Sequence, residues 1–277
     1  MDDMRTQRFD IRFFIFFLMV LLGFPHAGSA MEELVLSTGS PYELGLIDAV
    51  AGPFGAKYKC KVEVIKAGSG KAIRLLRSGK VDVIMVHAKT AEDKLIKDGF
   101  GVNRRLVASN DFVIAGPSKD PAGIKGAKDV ADAYRKIAHS GVLFFSRGDN
   151  SGTHKKEMSI WKRAGIKPKG PWYRTSGLFM GATLKMADDS QGYFMTDRST
   201  YIYLSRELQL DILFEGDPSL VNHYSAIAVN PAKYPGRNYE LAIDFIGFIT
   251  SVAGQKIFRD YGKEKFGKPL YSAEAIP

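Results

Sequence analysis

Short apolar runs alternate with segments of helical period along almost the whole chain, and that alternation is the strongest constraint on its fold. Leu34-Val35-Leu36, Val62-Glu63-Val64-Ile65 and residues 81–86 read as strands. Between them, residues 44–54 carry apolar side chains at Leu46, Ile47, Val50 and Phe54, as a helix would. Residues 72–76 open a second helix that Gly79 ends, and residues 90–97 form a charged one that stops at Gly99. Arg105 to Val107 and Phe112 to Ala115 read as two further strands. Such alternation predicts an α/β fold with mostly parallel pairing.

A second, similar series follows Pro117. Helices are expected over residues 129–138, 152–164, 179–186 and 201–206, with strands over 142–145, 192–195 and 210–213. A strand over 226–229 and two helices, 239–249 and 252–261, complete the chain. Two series suggest two lobes: residues 31–115 in lobe I, 116–222 in lobe II, and 223–277 returning to lobe I. The chain would cross between them near residues 112–117 and 215–224, which would make the cleft the ligand site and the crossings its hinge.

The N-terminus bears on the compartment. Arg5, Arg8 and Arg12 precede an apolar core of about a dozen residues, short of the roughly 20 needed to span a bilayer. His26-Ala27-Gly28-Ser29-Ala30 follows, so residues 1–30 have the layout of a cleaved secretory signal peptide. Removing them leaves the net charge at +9, since three arginines and three aspartates depart together. A positive balance favours anionic partners. The basic residues are dispersed, and no zinc-ligand spacing or aromatic-basic repeat points to nucleic acid. Cys60 is the only cysteine, in an alternating strand-like run, and is expected to be a buried structural thiol. The five histidines are scattered, and no metal or cofactor is expected.

The segment 146–157, Ser-Arg-Gly-Asp-Asn-Ser-Gly-Thr-His-Lys-Lys-Glu, joins a predicted strand to a predicted helix. Ser151 and Thr153 are residue types that cap helices, and Gly152 permits close backbone approach. Free N–H groups at that helix start, hydroxyls and Arg147 would suit an anion. Three other turns share the pattern: Ser37-Thr38-Gly39-Ser40 after the first strand, Gly68-Ser69-Gly70 after the second, and Ser176-Gly177 before the helix near Met180. Four such starts with one guanidinium could surround a small oxyanion. Arg147 could instead pair only with Asp149, and His154 could be ligand or structure; His87 reads as structural. Asp149 reads as a residue that orients Arg147. A carboxylate aimed at the ligand would suit monohydrogen phosphate and repel a fully ionised anion. Asp149, Ser151 and His154 on one turn do not make a nucleophile–base array, so no catalysis is expected.

The text Ser146 to Glu157, Val86-His87-Ala88, Asn110 to Pro117, Asp120-Pro121-Ala122-Gly123, Thr196-Asp197-Arg198, Glu215-Gly216-Asp217 and Ile227 to Pro231 resembles the periplasmic tungstate-binding proteins of ABC-type uptake systems. The resemblance runs in order over nearly all of residues 31–277. It implies a two-lobed, type II-like periplasmic binding fold, related to the phosphate binders, with a mixed sheet flanked by helices in each lobe and the ligand between them. It also implies a periplasmic monomer that captures tungstate or molybdate and delivers it to a membrane permease. A phosphate or sulfate binder, or an oxyanion sensor without transport, is the alternative. Carried over by position, the ligand contacts fall on Ser37, Thr38, Gly39, Ser40, Ser69, Arg147, Ser151, Gly152 and Thr153. Two positions depart from the family pattern: Gly39 replaces a hydroxyl residue, and Phe179 stands where the family has glycine.

Overall fold

Alternating side chains along the central strands face two different apolar layers, and this sets the architecture of the chain's first half. The computed structural model describes residues 31–275; the segment read as a signal peptide lies outside the described residues. In order, the elements are β1 (Glu32–Thr38), α1 (Ser40–Glu43), α2 (Leu46–Tyr58), β2 (Cys60–Lys66), α3 (Ser69–Arg77), β3 (Val83–Val86), α4 (Lys89–Lys97) and β4 (Gly101–Gly116). Then come α5 (Val130–Ser140), β5 (Phe144–Ser146), α6 (Gly152–Arg163), β6 (Tyr173–Thr175), α7 (Met180–Asp189), β7 (Tyr193–Asp197), α8 (Arg198–Leu204) and β8 (Asp211–Phe214). The chain closes with β9 (Val221–Val229), α9 (Tyr239–Thr250), α10 (Val252–Asp260), α11 (Lys263–Phe266) and β10 (Ser272–Ala273).

On β3, Val83 and Met85 join Leu34, Phe54, Phe245 and Phe258 in one core, while Ile84 and Val86 join Leu76, Leu95 and Ile227 on the opposite face. Helices α2, α9 and α10 cover the first face, and α3 and α4 the second. A separate core in the second half gathers Phe112, Ile114, Tyr134, Phe144, Trp161, Tyr193 and Leu220. Trp161 is fully buried there, stacked edge-on against Phe144 with ring centroids 5.1 Å apart. Ile202 is the exception: it sits on α8, within the span expected for lobe II, yet packs into the first core. Cys60 is buried in that first core, and burial raises its thiol pKa.

The strands run in the order β2-β1-β3-β9-β4-β7-β5-β6, with β8 and β10 also paired to β4. The outer pairs, β1 with β2 and β3, and β5 with β6 and β7, are parallel. Every pair that includes β4 or β9 is antiparallel. The sheet is therefore mixed, as the resemblance implied, rather than mostly parallel, as alternation alone suggested, because one strand runs out of the first half and its neighbour runs back.

Two expected elements differ in detail. Residues 105–107 and 112–115, read as two strands, are parts of the single strand β4. Its polar middle, Ser109-Asn110-Asp111, interrupts the apolar signal where the strand leaves one core and enters the other. Up to Asp111 it pairs with β9, and from Phe112 with β7. The helix read over residues 44–54 begins earlier and is split in two by Gly45, whose φ of 84° only glycine adopts readily. Among the described residues no single helix is long and apolar enough to cross a membrane.

The last third of the chain is tied to the first sheet by Asp82, which is fully buried. Its carboxylate accepts from the Val35 N–H at 2.7 Å, from the Asn238 N–H at 2.8 Å, and from both Arg237 Nε and Nη2 at 2.8 and 2.9 Å. Removing the carboxylate leaves the Val35 and Asn238 N–H groups without an acceptor and a half-buried guanidinium without its partner. Asp82→Ala should therefore cost about 3–5 kcal/mol in urea unfolding.

Candidate functional site

The turn after β5 is built around a buried guanidinium. Arg147 is 3% exposed, and its Nη2 is held by the carboxylate of Asp149. The other Asp149 oxygen accepts from the Ser151 N–H at 3.1 Å. Both carboxylate oxygens thus serve the turn. Burial pushes the Asp149 carboxyl up, but Arg147 and the Ser151 donors outweigh it and hold the group below the usual aspartate range. Gly148 and Asn150 have positive φ values of 62° and 58°, which fold the segment back so that α6 can start at Gly152. Ser151 caps α6, its hydroxyl accepting from the His154 N–H at 3.2 Å. His154 Nδ1 accepts from the Asn150 N–H at 3.0 Å, which makes this histidine a brace of the turn.

Two turns of the first half meet this one directly, and a third lies against one of them. A methyl built on Gly68 would lie 3.1 Å from Ser151 Cβ and 3.7 Å from Arg147 Nη2. One on Gly70 would lie 2.5 Å from the Asn150 carbonyl, and one on Gly152 between 2.6 and 2.8 Å from the His87 ring. Gly39 in turn lies against Gly68 and the Ala67 carbonyl. The starts of α1, α3 and α6 are consequently neighbours, and the sequence-read turns 37–40, 68–70 and 147–153 form one enclosed locus. This close approach leaves no room for a side chain at positions 70 and 152 and little at position 68.

The nine residues singled out in the sequence differ in what they offer. Thr38, Ser37, Thr153, Ser151, Ser69, Ser40 and Arg147 are all buried, as is Gly152, and Gly39 is half-buried. Among the described residues, six buried side-chain polar atoms have no hydrogen-bond partner; three of them are Thr38 Oγ1, Arg147 Nε and Thr153 Oγ1. An unpaired buried donor costs free energy, so three on one locus mark it for an acceptor. Ser37 is different: its hydroxyl donates to the Ile65 carbonyl at 2.9 Å and ties β1 to β2. Ser69 Oγ accepts from the His87 N–H at 3.3 Å and keeps its hydrogen free to donate elsewhere. The first N–H groups of α3 and α6 add partial positive charge to the same place.

Sequence reading missed the polar bridge behind this locus. His87 Nδ1 lies 2.8 Å from Asn222 Oδ1, and Asn222 Nδ2 donates to Asn110 Oδ1 at 2.8 Å. Asn110 Nδ2 donates to Ser199 Oγ, and Ser199 Oγ to the Leu270 carbonyl, both at 2.6 Å. Because Asn222 spends its amine on Asn110, its carbonyl must accept from His87, which assigns the proton to Nδ1. Burial holds the imidazole pKa down at about 4, so the ring is neutral at physiological pH. Asn110 and Asn222 face each other across β4 and β9, a pairing that single-residue inspection of two distant asparagines cannot reveal. The fourth expected turn, Ser176-Gly177, also joins the site: Gly177 N–H donates to the Arg147 carbonyl at 2.9 Å, bringing Phe179 to within 5.4 Å of the Arg147 guanidinium.

One turn into α6, Glu157 is 1% exposed and accepts from Tyr173 OH at 2.7 Å and Trp161 Nε1 at 3.1 Å. Burial pushes its carboxyl up to about 7, against the pull of its donors from Tyr173, Ser146 and Trp161. A carboxyl raised in the folded state keeps a proton that the unfolded chain has already released. Its contribution to stability is present below the unfolded value of 4.5 and is lost as pH rises towards 7. Glu157→Gln should accordingly lose less stability, or gain more, than the native protein between about pH 5 and about pH 7.5, as read by urea denaturation at each pH.

A family profile described as a PBP superfamily domain matches residues 25–253. The tungstate-binding protein TupA of Peptoclostridium acidaminophilum is 39% identical over 244 residues, covering 87% of this chain and 85% of that protein. TupA of Campylobacter jejuni is 36% identical over 236 residues, 83% of this chain and 87% of its own length. The solved structure of the tungstate ABC transporter from Geobacter sulfurreducens is 46% identical, with a TM-score of 0.75 over 83% of this chain and 99% of that one. With this sequence identity, this coverage and a mixed α/β fold of two cored halves, the chain belongs to the PBP superfamily, in the family of two-lobed ABC-transport solute-binding proteins that includes these tungstate binders.

Proposed function

We propose that this protein captures a fully ionised tetrahedral oxyanion, tungstate first and molybdate next, in the periplasm and hands it to an ABC permease. The lobes are residues 31–115 with 223–277, and 116–222, except that Phe112 to Ala115 pair and pack with the second. The anion sits between them, held by the Arg147 guanidinium, the Thr38 and Thr153 hydroxyls and the N–H groups that open α3 and α6. Ser40 and Ser69 add hydroxyls, Gly39 and Gly152 allow the backbone close, and Ser37 and Ser151 hold the turns in shape. The observation that carries this reading is the cluster of three buried unpartnered donor-bearing atoms on Thr38, Arg147 and Thr153.

Asp149 favours a fully ionised anion. Each of its oxygens already accepts from the turn itself, one from Arg147 Nη2 and one from the Ser151 N–H, so the carboxylate is oriented by the turn rather than by the proton of monohydrogen phosphate. Monohydrogen phosphate is the second reading, and one observation favours it: Glu43 Oε2 is buried without a partner.

Calorimetric titration with tungstate, molybdate, sulfate and phosphate tests the proposal. Tungstate heat without phosphate heat is expected; phosphate heat alone would move the assignment to Glu43, and no heat with any anion would end the oxyanion reading. A hydrogen bond to a charged group contributes about 1.5–3 kcal/mol. Arg147→Ala should thus weaken tungstate binding by roughly a hundredfold or more, and Thr153→Val by about tenfold. Asp149 is partly exposed and can take up water when Arg147 is gone, so the thermal midpoint of the ligand-free protein should fall far less for Arg147→Ala than for Asp82→Ala, and little for Thr153→Val; a drop as large as that of Asp82→Ala would make Arg147 structural.

A further inference from the structure

The ring of Phe179 lies between two cations that belong to different halves of the molecule. The Lys66 ammonium, at the end of β2, sits 4.4 Å from the ring centroid, and the Arg147 guanidinium 5.4 Å from it. We propose that Phe179 is the latch of the closed cleft: a positioning residue that joins Lys66 to Arg147 across the lobes, aims the guanidinium and seals the anion from water. This rests on the function proposed above.

Each partner of the ring is fixed independently. Phe179 is the N-cap of α7, and its carbonyl accepts from the Thr183 N–H and Thr183 Oγ1, both at 2.9 Å. The two residues before Leu178 are stitched to β5, Ser176 N–H to the Ser146 carbonyl and Gly177 N–H to the Arg147 carbonyl, each at 2.9 Å. The ring therefore rides on the same framework as the guanidinium it touches. On the other side, Lys66 is the register partner of Thr38, whose hydroxyl has no protein partner. Glu43 holds the ammonium at 3.3 Å, and Glu43 Oε1 also faces the first turn of α7, where a methyl on Gly181 would lie 3.7 Å away. The ring so bridges the neighbours of two of the three unpartnered donors.

A cation over an aromatic face is attracted by the ring quadrupole, more strongly once water is excluded. Leucine would keep the apolar bulk and lose that attraction; tyrosine would keep it. Lys66→Gln removes one cation without touching the residues proposed to hold the anion.

The test has two readouts. The first is stopped-flow release of tungstate from the full mature chain. Phe179→Leu should speed release roughly tenfold, Phe179→Tyr should stay near the native rate, and Lys66→Gln should speed it by a smaller factor. The double variant Phe179→Leu with Lys66→Gln should be no faster than Phe179→Leu alone. The second is small-angle scattering of the ligand-free protein, in which Phe179→Leu should raise the radius of gyration. If native protein binds no tungstate, the functional reading falls while scattering still decides the latch. Native-like release from Phe179→Leu, release as fast from Phe179→Tyr as from Phe179→Leu, additive effects in the double variant, or an unchanged radius of gyration would each overturn the latch.

Discussion

The structure depends on a desolvated guanidinium. Arg147 is nearly sealed from solvent with one carboxylate beside it, and its Nε faces no protein acceptor. Bringing the lobes together removes water from this group and from the Thr38 and Thr153 hydroxyls at once. That step is unfavourable unless the contacts of Phe179 with Lys66 and Arg147 offset it or something returns the lost hydrogen bonds. An anion between the turns would do so, and its binding energy would then favour the closed arrangement over an open one. Charge neutralisation inside the turn is partial by design: Asp149 orients Arg147 through one nitrogen and leaves the rest of the fork unspent.

Everything else in the fold holds that guanidinium opposite the right turns. The first half is clamped by Asp82, whose carboxylate gathers β1, β3 and the start of α9 around one buried charge. The second half is anchored by the Trp161 cluster and Glu157, which fix α6 behind its first turn. Between them, β4 runs through both halves while β9 stays in the first, and the Asn110–Asn222 pair links the two strands side chain to side chain as well as backbone to backbone. His87 extends this link to the start of α6, where the absence of a side chain on Gly152 lets its ring approach.

Much of this was legible in residue order. Alternating apolar runs located nearly every strand and helix, because a strand buried on both faces and a helix buried on one leave different periods. The turns at 37–40, 68–70 and 147–153 were recognisable from their glycines and hydroxyls, and they do meet. What escaped was of two kinds. Strand β4 read as two pieces because its crossing residues are polar, a consequence of lying between cores. The roles of Lys66, Asn222 and Phe179 depend on contacts between residues more than a hundred positions apart, which no local pattern encodes. Ser37 looked like a ligand hydroxyl, yet its hydrogen is committed to the Ile65 carbonyl.

The crossings between halves lie side by side: β4 leaves the first half after Asp111, the chain returns at Val221, and these two residues are register partners at the end of the β4–β9 ladder. That ladder resists shear, because sliding one strand along the other would break its hydrogen bonds. Under the function proposed here, the jaws would part by rotation at this paired crossing rather than by sliding, so the mouth would keep its register from cycle to cycle and the surface shown to a permease would differ between loaded and empty protein in one reproducible way.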